Sequence, residues 1–370
     1  MFRRLICRIL ALTLAGSFIL TTPPARAQDT IQALTHYALT VYSGPDRADP
    51  IIAVLNPHAK VILEARTIDT VWVLGHSTDS MVRGWMESRY LALPSEARLP
   101  NLIVSREIMF VPAPSNPAYH TINLEDYPII PIRMGRARDI FEQGRLLGMN
   151  PRVIAKIGDC ISDNRHFLSP FGWNQYNLGQ YGQLQGVISQ FSESLTYDSQ
   201  AAYDGLVTSA VLDPVFANPL ACQPGESPLL CEYRIHKPGV AVIMFGAQDV
   251  LFTDAEHFER NLRQIVHETI QAGVIPILST FPGNLETWDR AVQYNQIVAQ
   301  VALDYDIPLM NLWRALERLP NHGLNPDGRH LSLPITTSGD LTGTNLQRGY
   351  PMRNLVTLQA LDTVWRSAMY

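Results

Sequence analysis

Three short polar segments of the sequence contain residue types that nucleophilic catalysis uses. Residues 158–163 read Gly-Asp-Cys-Ile-Ser-Asp, residues 246–249 read Gly-Ala-Gln-Asp, and residues 325–332 read Asn-Pro-Asp-Gly-Arg-His-Leu-Ser. A thiol, an imidazole and a carboxylate together can attack a carbonyl carbon, move a proton and orient the base. Each segment alone is typical of an ordinary turn. The chemistry therefore depends on the three segments meeting in space.

The elements around these segments indicate how they meet. Apolar runs at 153–157 and 240–245 precede the first two segments and predict buried strands, as do later runs at 274–278 and 307–310. Helical spacing is found over 133–147, 254–272 and 288–305, with Asp254 as an N-cap and Gly273 as a C-terminal stop. Buried strands that alternate with helices predict a parallel sheet with helices on each side. Functional residues gather at the carboxyl ends of such strands.

The order, strand context and spacing of the segments resemble the SGNH (GDSL-type) hydrolases over residues 130–370. That family has Gly-Asp-Ser after the first strand, a glycine in a following loop, Gly-x-Asn-Asp after a central strand, and Asp-x-x-His near the end. The resemblance implies an α/β fold, a three-layer sandwich with a parallel sheet. It also implies an activity, the hydrolysis of ester bonds.

The resemblance implies a role for each matching residue. Cys160 stands where the family has its nucleophilic serine, and His330 would take its proton and later return it to the leaving alcohol. Asp327 would hold the imidazole tautomer, although an Asp-Gly pair is also a common turn former. Asp159 and Asp249 would support the site.

An oxyanion hole needs donors aimed at the place where negative charge develops. The resemblance implies the backbone N–H of Cys160, the N–H of Gly205 and the side-chain amide of Gln248, which replaces the family asparagine. Gly205 is also compatible with a plain helix boundary. The extra methylene of Gln248 shifts its amide by more than about an ångström, a displacement that can cost about a hundredfold in rate.

The cysteine at position 160 is the largest departure from the family. A thiol beside His330 at a helix N-terminus is expected to ionise readily, and thiolates are strong nucleophiles. Sulfur is larger than oxygen, however, so a hole shaped for a serine would be misaligned, and Cys160 would then be a small buried residue of a decayed site. Ser162 is a poor replacement because it is expected to point away from the histidine.

The N-terminal part resembles the bacterial Src-homology-3-type domain. Residues 36–93 contain apolar runs separated by turns, and the typical features are matched by Tyr42-Ser43-Gly44-Pro45, Trp72 and Gly84-Trp85-Met86. The resemblance implies a small all-β barrel. Such domains often bind cell-wall or surface ligands, but the tryptophans would equally serve to fill the core of a passive spacer.

The expected organisation is a signal peptide over 1–27, the Src-homology-3-like domain over 28–95, a Pro-rich connection over 96–130, and the hydrolase-like domain over 131–370. Arg3 and Arg4 precede an apolar stretch, and Ala25-Arg26-Ala27 matches a cleavage site. We therefore expect a secreted or extracytoplasmic protein, with a retained membrane anchor as the alternative.

Cysteine usage agrees with export. Cys7 leaves with the signal, whereas Cys222 and Cys231 lie in a loop rich in Pro and Gly and predict a local disulfide. Cys160 then has no partner.

Charge and motifs exclude several function classes. The formal net charge is -5 and the pI is about 6.1, so nucleic acid is not an expected partner. The ten histidines form no ligand pair beside a carboxylate, and there is no nucleotide-binding loop. We expect no metal and no other cofactor.

Two functions follow. The first is a secreted esterase or deacylase that acts on an acylated polysaccharide or a small ester, held near a surface by its N-terminal domain. The second is a catalytically weak or inactive protein that binds cell-wall or carbohydrate material. Aromatics after the first strand, Trp173, Tyr176 and Tyr181, would stack on sugars in the second case or belong to the core.

Overall fold

The structure is a computed structural model that describes residues 31–47, 49–80, 82–105, 107–109, 111 and 116–370. It divides into two compact units, Met1–Met109 and Phe110–Tyr370. The signal peptide expected over 1–27 lies outside the described residues.

The first unit is built on a mainly antiparallel sheet. Its strands are β1 (Ile31–Thr35), β2 (Leu39–Tyr42), β3 (Ile51–Leu55), β4 (Lys60–Arg66), β5 (Trp72–Ser77), β6 (Arg83–Glu87), β7 (Leu91–Ala92) and β8 (Ile103–Val104). The pairing order is β3-β2-β6-β5-β4-β1-β7, and β8 pairs in parallel with β4. Within the described residues this path stays open from β3 to β7, so the sheet is present but the closed barrel of the expected domain is not.

The tryptophans of the first unit are core residues. Trp85 is fully buried, and its indole N–H donates to the carbonyl of Glu107 at 2.6 Å. Trp72 is also buried and meets the ring of Tyr42 edge-on, with 5.4 Å between ring centroids. Buried rings of this kind stabilise a small sheet by packing. The structure therefore favours the packing role of these tryptophans.

The second unit alternates strands and helices. Its strands are β9 (Asn150–Gly158), β10 (Tyr176–Asn177), β11 (Pro238–Met244), β12 (Ile275–Ser279), β13 (Leu309–Met310) and β14 (Gly339–Asp340). Its helices are α1 (Ala137–Leu147), α2 (Cys160–Asp163), α3 (Ser169–Gly172), α4 (Gln185–Phe191), α5 (Thr208–Leu212), α6 (Pro228–His236), α7 (Asp249–Phe252), α8 (Ala255–Gln271), α9 (Trp288–Asp304), α10 (Leu312–Glu317) and α11 (Gly349–Ala368).

The parallel sheet predicted from the sequence is confirmed. Its strand order is β13-β12-β11-β9, and every adjacent pair is parallel. All seven residues of β11 are buried, which requires cover on both faces. The helices α1, α4, α10 and α11 pack together as one set, and α5 to α9 pack together as another. The unit is thus an α/β sandwich with the sheet in its core.

Register at the end of the sheet positions the polar segments. Gly158 at the end of β9 pairs with Met244 at the end of β11, so the residues after these two strands emerge side by side. The predicted caps of α8 are also confirmed. Asp254 accepts a hydrogen bond from the N–H of His257, and Gly273 adopts a φ of 76° just beyond the helix.

The segment expected to connect the domains contributes to both units. Strand β8 lies in its N-terminal part and belongs to the first unit. Farther along, the amide of Asn311 donates to the carbonyls of Leu124 and Tyr127 at 2.8 and 3.2 Å, which fastens that stretch to the second unit.

None of the described helices combines the length and the apolar character that crossing a bilayer requires.

Candidate active site

The turn after β9 presents Cys160 at the first position of a helix. Asp159 caps α2, because its Oδ1 accepts a hydrogen bond from the N–H of Ile161 at 3.0 Å. Cys160 is partly buried and its thiol is free. The strand-to-helix turn therefore exposes one side of position 160 at the carboxyl end of the sheet.

Gly158 makes this turn possible. Its φ is 152°, and a Cβ at this position would lie 2.3 Å from the carbonyl oxygen of Met244 and 2.5 Å from Ser162 Oγ. We expect Gly158→Ala to destabilise the chain by about 2–3 kcal/mol, because both the backbone conformation and the space oppose a side chain. Urea unfolding measures the loss. Gly182→Ala is the control, since nothing lies within 4 Å of a Cβ there. Equal effects of the two substitutions would contradict the steric argument.

Asp327 and His330 form a paired acid and imidazole. Asp327 Oδ2 lies 2.9 Å from His330 Nδ1, and Asp327 Oδ1 accepts from the backbone N–H of His330 at 3.0 Å. The loop that carries them is closed by a bridge between Leu324 and Leu331. Burial works to raise the pKa of Asp327, but the N–H groups of Arg329 and His330 and the imidazole lower it below its usual value. The aspartate thus stays ionised and fixes the ring from the Nδ1 side.

The thiol of Cys160 is not readily ionised, and on this point the sequence-based prediction is wrong. Burial, with a smaller contribution from the carboxylates of Asp159 and Asp204, raises the pKa of Cys160 to about 12 against the opposing effect of Gln248. In the part of the chain that the structure describes, no hydrogen bond joins Cys160 Sγ to the imidazole of His330. At neutral pH the resting thiol is therefore protonated.

The candidate oxyanion donors are two backbone N–H groups and one side-chain amide. Neither the N–H of Cys160 nor that of Gly205 has a hydrogen-bond partner among the described residues. Gly205 is exposed and has a φ of 78°. The side-chain nitrogen of Gln248 lies 4.0 Å from Cys160 Sγ. Two unpaired N–H groups and one amide are donors of the kind that an oxyanion requires.

Asp249 connects its own segment, 246–249, to the segment that carries Gly205 through hydrogen bonds. It is fully buried, and its Oδ1 accepts from the N–H and the hydroxyl of Thr208 at 3.0 and 2.6 Å. Burial raises the pKa of Asp249, while the hydrogen bonds from Thr208 oppose that rise. Because Thr208 begins α5, three residues after Gly205, Asp249 links the start of α7 to the Gly205 loop.

The buried carboxyl of Asp159 makes stability depend on pH. The pKa of Asp159 is raised to about 6 from an ordinary value of 3.8, and burial is the main cause. The charge of Asp249 adds to the rise, whereas the Ile161 N–H, Arg353 and His330 oppose it. The folded chain therefore keeps this proton between about pH 4 and pH 6 while the unfolded chain releases it, so stability falls as the pH rises through that window.

We expect Asp159→Asn to raise the free energy of unfolding by about 3 kcal/mol above pH 6 and to leave it nearly unchanged below pH 4. Asparagine still caps the helix, so the cap is kept. Urea unfolding at a series of pH values measures the effect, with Asp289→Asn in the first turn of α9 as the control. A stability profile of Asp159→Asn that runs parallel to that of the parent chain would refute the assignment.

Three residues near the site were missed by sequence analysis. The carboxylate of Asp204 raises the pKa of the Cys160 thiol, and its position directly before Gly205 was a usable signal. Thr208 carried no signal. Arg353 in α11 is fully buried and donates to the carbonyl of Ile161 at 2.6 Å and to Ser162 Oγ at 3.0 Å. A charged residue within the apolar C-terminal helix was the signal for it.

Ser162 faces the interior. It is buried, and its hydroxyl accepts the hydrogen bond from Arg353. This agrees with the expectation that Ser162 does not replace the residue at position 160 as a nucleophile.

The predicted disulfide between Cys222 and Cys231 is confirmed. Glu226 lies close to both sulfur atoms, and such a group resembles a metal site. Because the sulfurs are joined to each other, they offer no thiolate to a cation.

Comparisons with known proteins found one family model and several solved structures. Residues 157–333 match the model of the GDSL-like Lipase/Acylhydrolase family. Similar solved structures include a lipase/acylhydrolase from Enterococcus faecalis, at 19% identity, with 58% of this chain and 96% of that chain covered and a TM-score of 0.37. The psychrotrophic esterase EstA from Pseudoalteromonas sp. is 15% identical, with 58% and 100% covered and a TM-score of 0.39. A carbohydrate esterase of family 3 from Talaromyces cellulolyticus is 13% identical, with 57% and 98% covered and a TM-score of 0.38.

No curated protein matches the chain in sequence. Residues 157–333 form a GDSL-like lipase/acylhydrolase family domain.

Proposed function

We propose that this protein is a secreted ester hydrolase, an esterase or deacylase, with Cys160 in the place of a nucleophilic serine. The observation that carries the proposal is the hydrogen-bonded pair of Asp327 and His330, whose Oδ2 and Nδ1 atoms are 2.9 Å apart. An imidazole held at Nδ1 by an ionised carboxylate leaves Nε2 available to accept a proton. The family match over residues 157–333 supports the reaction class.

In the proposed reaction the thiol of Cys160 gives its proton to His330 Nε2 as sulfur attacks the carbonyl carbon of the ester. The N–H groups of Cys160 and Gly205, with the amide of Gln248, stabilise the negative oxygen of the tetrahedral intermediate. His330 then protonates the leaving alcohol, and the acyl group remains on sulfur. Water, deprotonated by His330, releases the acid and restores the thiol.

We further propose an acylated polysaccharide or another small ester as the substrate. A cavity of about 540 Å³ lies beside the loop that carries His330 and is lined by Leu324, Pro326 and Ser332. The remaining lining includes polar side chains suited to sugar hydroxyls: Asn321, Thr344, Gln347 and Arg348. The lining combines these polar side chains with apolar ones, among them Pro320 and Ile335, so it suits a sugar that carries an acyl group.

The proposed location is outside the cytoplasm. The signal peptide expected over 1–27 and the disulfide between Cys222 and Cys231 support export. The N-terminal unit, proposed as Src-homology-3-like, would keep the hydrolase near a cell-wall or other surface ligand.

Hydrolysis of aryl acetates and of acetylated polysaccharides tests the proposal. We expect acetate release by the parent chain above the buffer blank, and its loss in Cys160→Ala, because that variant has no nucleophile at position 160. Activity that persists unchanged in Cys160→Ala would place the chemistry elsewhere. No turnover of any ester by the parent chain or by Cys160→Ser would refute the hydrolase.

A second function, carbohydrate binding without catalysis, is favoured by one observation. The resting thiol is protonated and makes no hydrogen bond with His330 in the described part of the chain. Of the aromatics considered earlier, Trp173 is 49% exposed, whereas Tyr176 packs on Phe171 with 5.4 Å between ring centroids. Trp173→Ala in the full chain should then weaken binding to insoluble polysaccharide. Unchanged binding would count against a sugar-stacking role.

A further inference from the structure

Arg353 lies beneath the short helix that carries Cys160. Its guanidinium is fully buried and donates to the carbonyl of Ile161 at 2.6 Å and to Ser162 Oγ at 3.0 Å. The ring of Phe167 covers one face, with its centroid 3.6 Å from the guanidinium carbon. The hydrogen bonds reach α2, which has four residues and is therefore too short to be stable alone.

The charge of Arg353 is not neutralised by an ion pair. Among the described residues no carboxylate makes a salt bridge with it, and its Nε has no hydrogen-bond partner. Burial lowers the pKa of Arg353 to about 10, so the side chain remains protonated at neutral pH. The nearby carboxyl of Asp159 interacts with this cation without a salt bridge, so the lost hydration of the guanidinium is only partly replaced. Its field is also poorly screened, because the surroundings exclude water.

The charged groups near the Cys160 thiol indicate a role for the positive charge of Arg353. Asp159 and Asp204 both oppose a negative charge on sulfur. The other titratable groups around Cys160 and its cap are Tyr350, Arg353 and His330. Burial raises the pKa of Tyr350, which keeps it neutral. His330 is 48% exposed, so water screens it, whereas Arg353 is a permanent and buried cation.

We propose that Arg353 is a positioning residue that fixes Cys160 through the carbonyl of Ile161 and supplies the buried positive charge that favours a thiolate at position 160. This inference deepens the proposed function and rests on it for the role of the thiolate. Its test does not depend on ester turnover, because alkylation of a thiol by iodoacetamide needs only the thiolate.

The experiment measures the alkylation rate of Cys160 in the full chain between pH 7 and pH 9. Mass spectrometry follows the peptide that contains Cys160, because Cys7 also has a thiol. The variants are Arg353→Gln, which removes the charge but keeps an amide donor, and Arg353→Lys, which keeps the charge. Ser162→Ala is the matched control, since it removes one hydrogen bond and no charge. Thermal unfolding verifies that each variant is folded.

We expect Arg353→Gln to lower the rate about tenfold across this pH range, the change that one pKa unit in the thiol produces. Arg353→Lys and Ser162→Ala should stay close to the parent chain. If Arg353→Gln does not fold, Arg353→Met provides the neutral variant. Equal losses in Ser162→Ala and the neutral variant would overturn the charge effect, and so would a neutral variant that reacts at the parent rate.

Discussion

Replacing Cys160 with serine should raise the rate of aryl acetate hydrolysis about a hundredfold, the factor by which a displaced oxyanion donor slows a reaction. The resting site disfavours a thiolate, because Cys160 is partly buried and faces the carboxylates of Asp159 and Asp204. A serine needs no resting anion, since its proton moves to His330 during the attack. Its shorter bond also suits a hole formed by backbone N–H groups.

The comparison uses kcat/KM of the parent chain, Cys160→Ser and Cys160→Ala under the same conditions. Cys160→Ala gives the background rate of a site without a nucleophile. A lower rate in Cys160→Ser than in the parent would mean that the site is tuned for sulfur. It would then contradict our account of why the thiol is a weak nucleophile here.

Removing the imidazole should have the opposite effect. We expect His330→Ala, made in the Cys160→Ser chain, to lower kcat about a thousandfold, the range that a general base contributes. His330 is the only histidine that we assign to the proton transfer, and Asp327 holds it at 2.9 Å. Asp327→Asn should lower kcat by a smaller factor, because the ring remains but loses its fixed tautomer.

The chain contains a matched control for this prediction. His257 and Asp254 form the same kind of pair three residues apart, with 2.7 Å between Nδ1 and Oδ2, at the start of α8. His257→Ala removes an exposed imidazole and the same ion pair without touching the site. Similar losses in His257→Ala and His330→Ala would show that the effect is not catalytic.

The fold of the second unit was predictable because its pattern is local. Runs such as 240–245 are apolar throughout, a composition typical of a strand that is buried on both faces. The ends of α8 followed from its capping residues, Asp254 and Gly273. The position of Cys160 directly after β9 followed from the strand pattern. Asp327 and His330 were expected only from the family resemblance, and they lie in a loop that follows α10 and not a strand of the sheet.

The electrostatics of the site were not predictable in the same way. The pKa of Cys160 depends on burial and on Asp204, which is 44 residues away along the chain and reaches the thiol only after folding. The helix N-terminus alone suggested a low pKa, and desolvation outweighed it. Arg353 was missed for the same reason, because its partners Ile161 and Ser162 are nearly two hundred residues away.

Labelling with a fluorophosphonate decides whether positions 160 and 330 act as nucleophile and base. The probe transfers its phosphonyl group to an activated oxygen nucleophile, and mass spectrometry identifies the modified residue. We predict labelling at position 160 in the Cys160→Ser chain and its loss when His330→Ala is added. Labelling at another residue, or labelling at position 160 that persists without His330, would contradict the account.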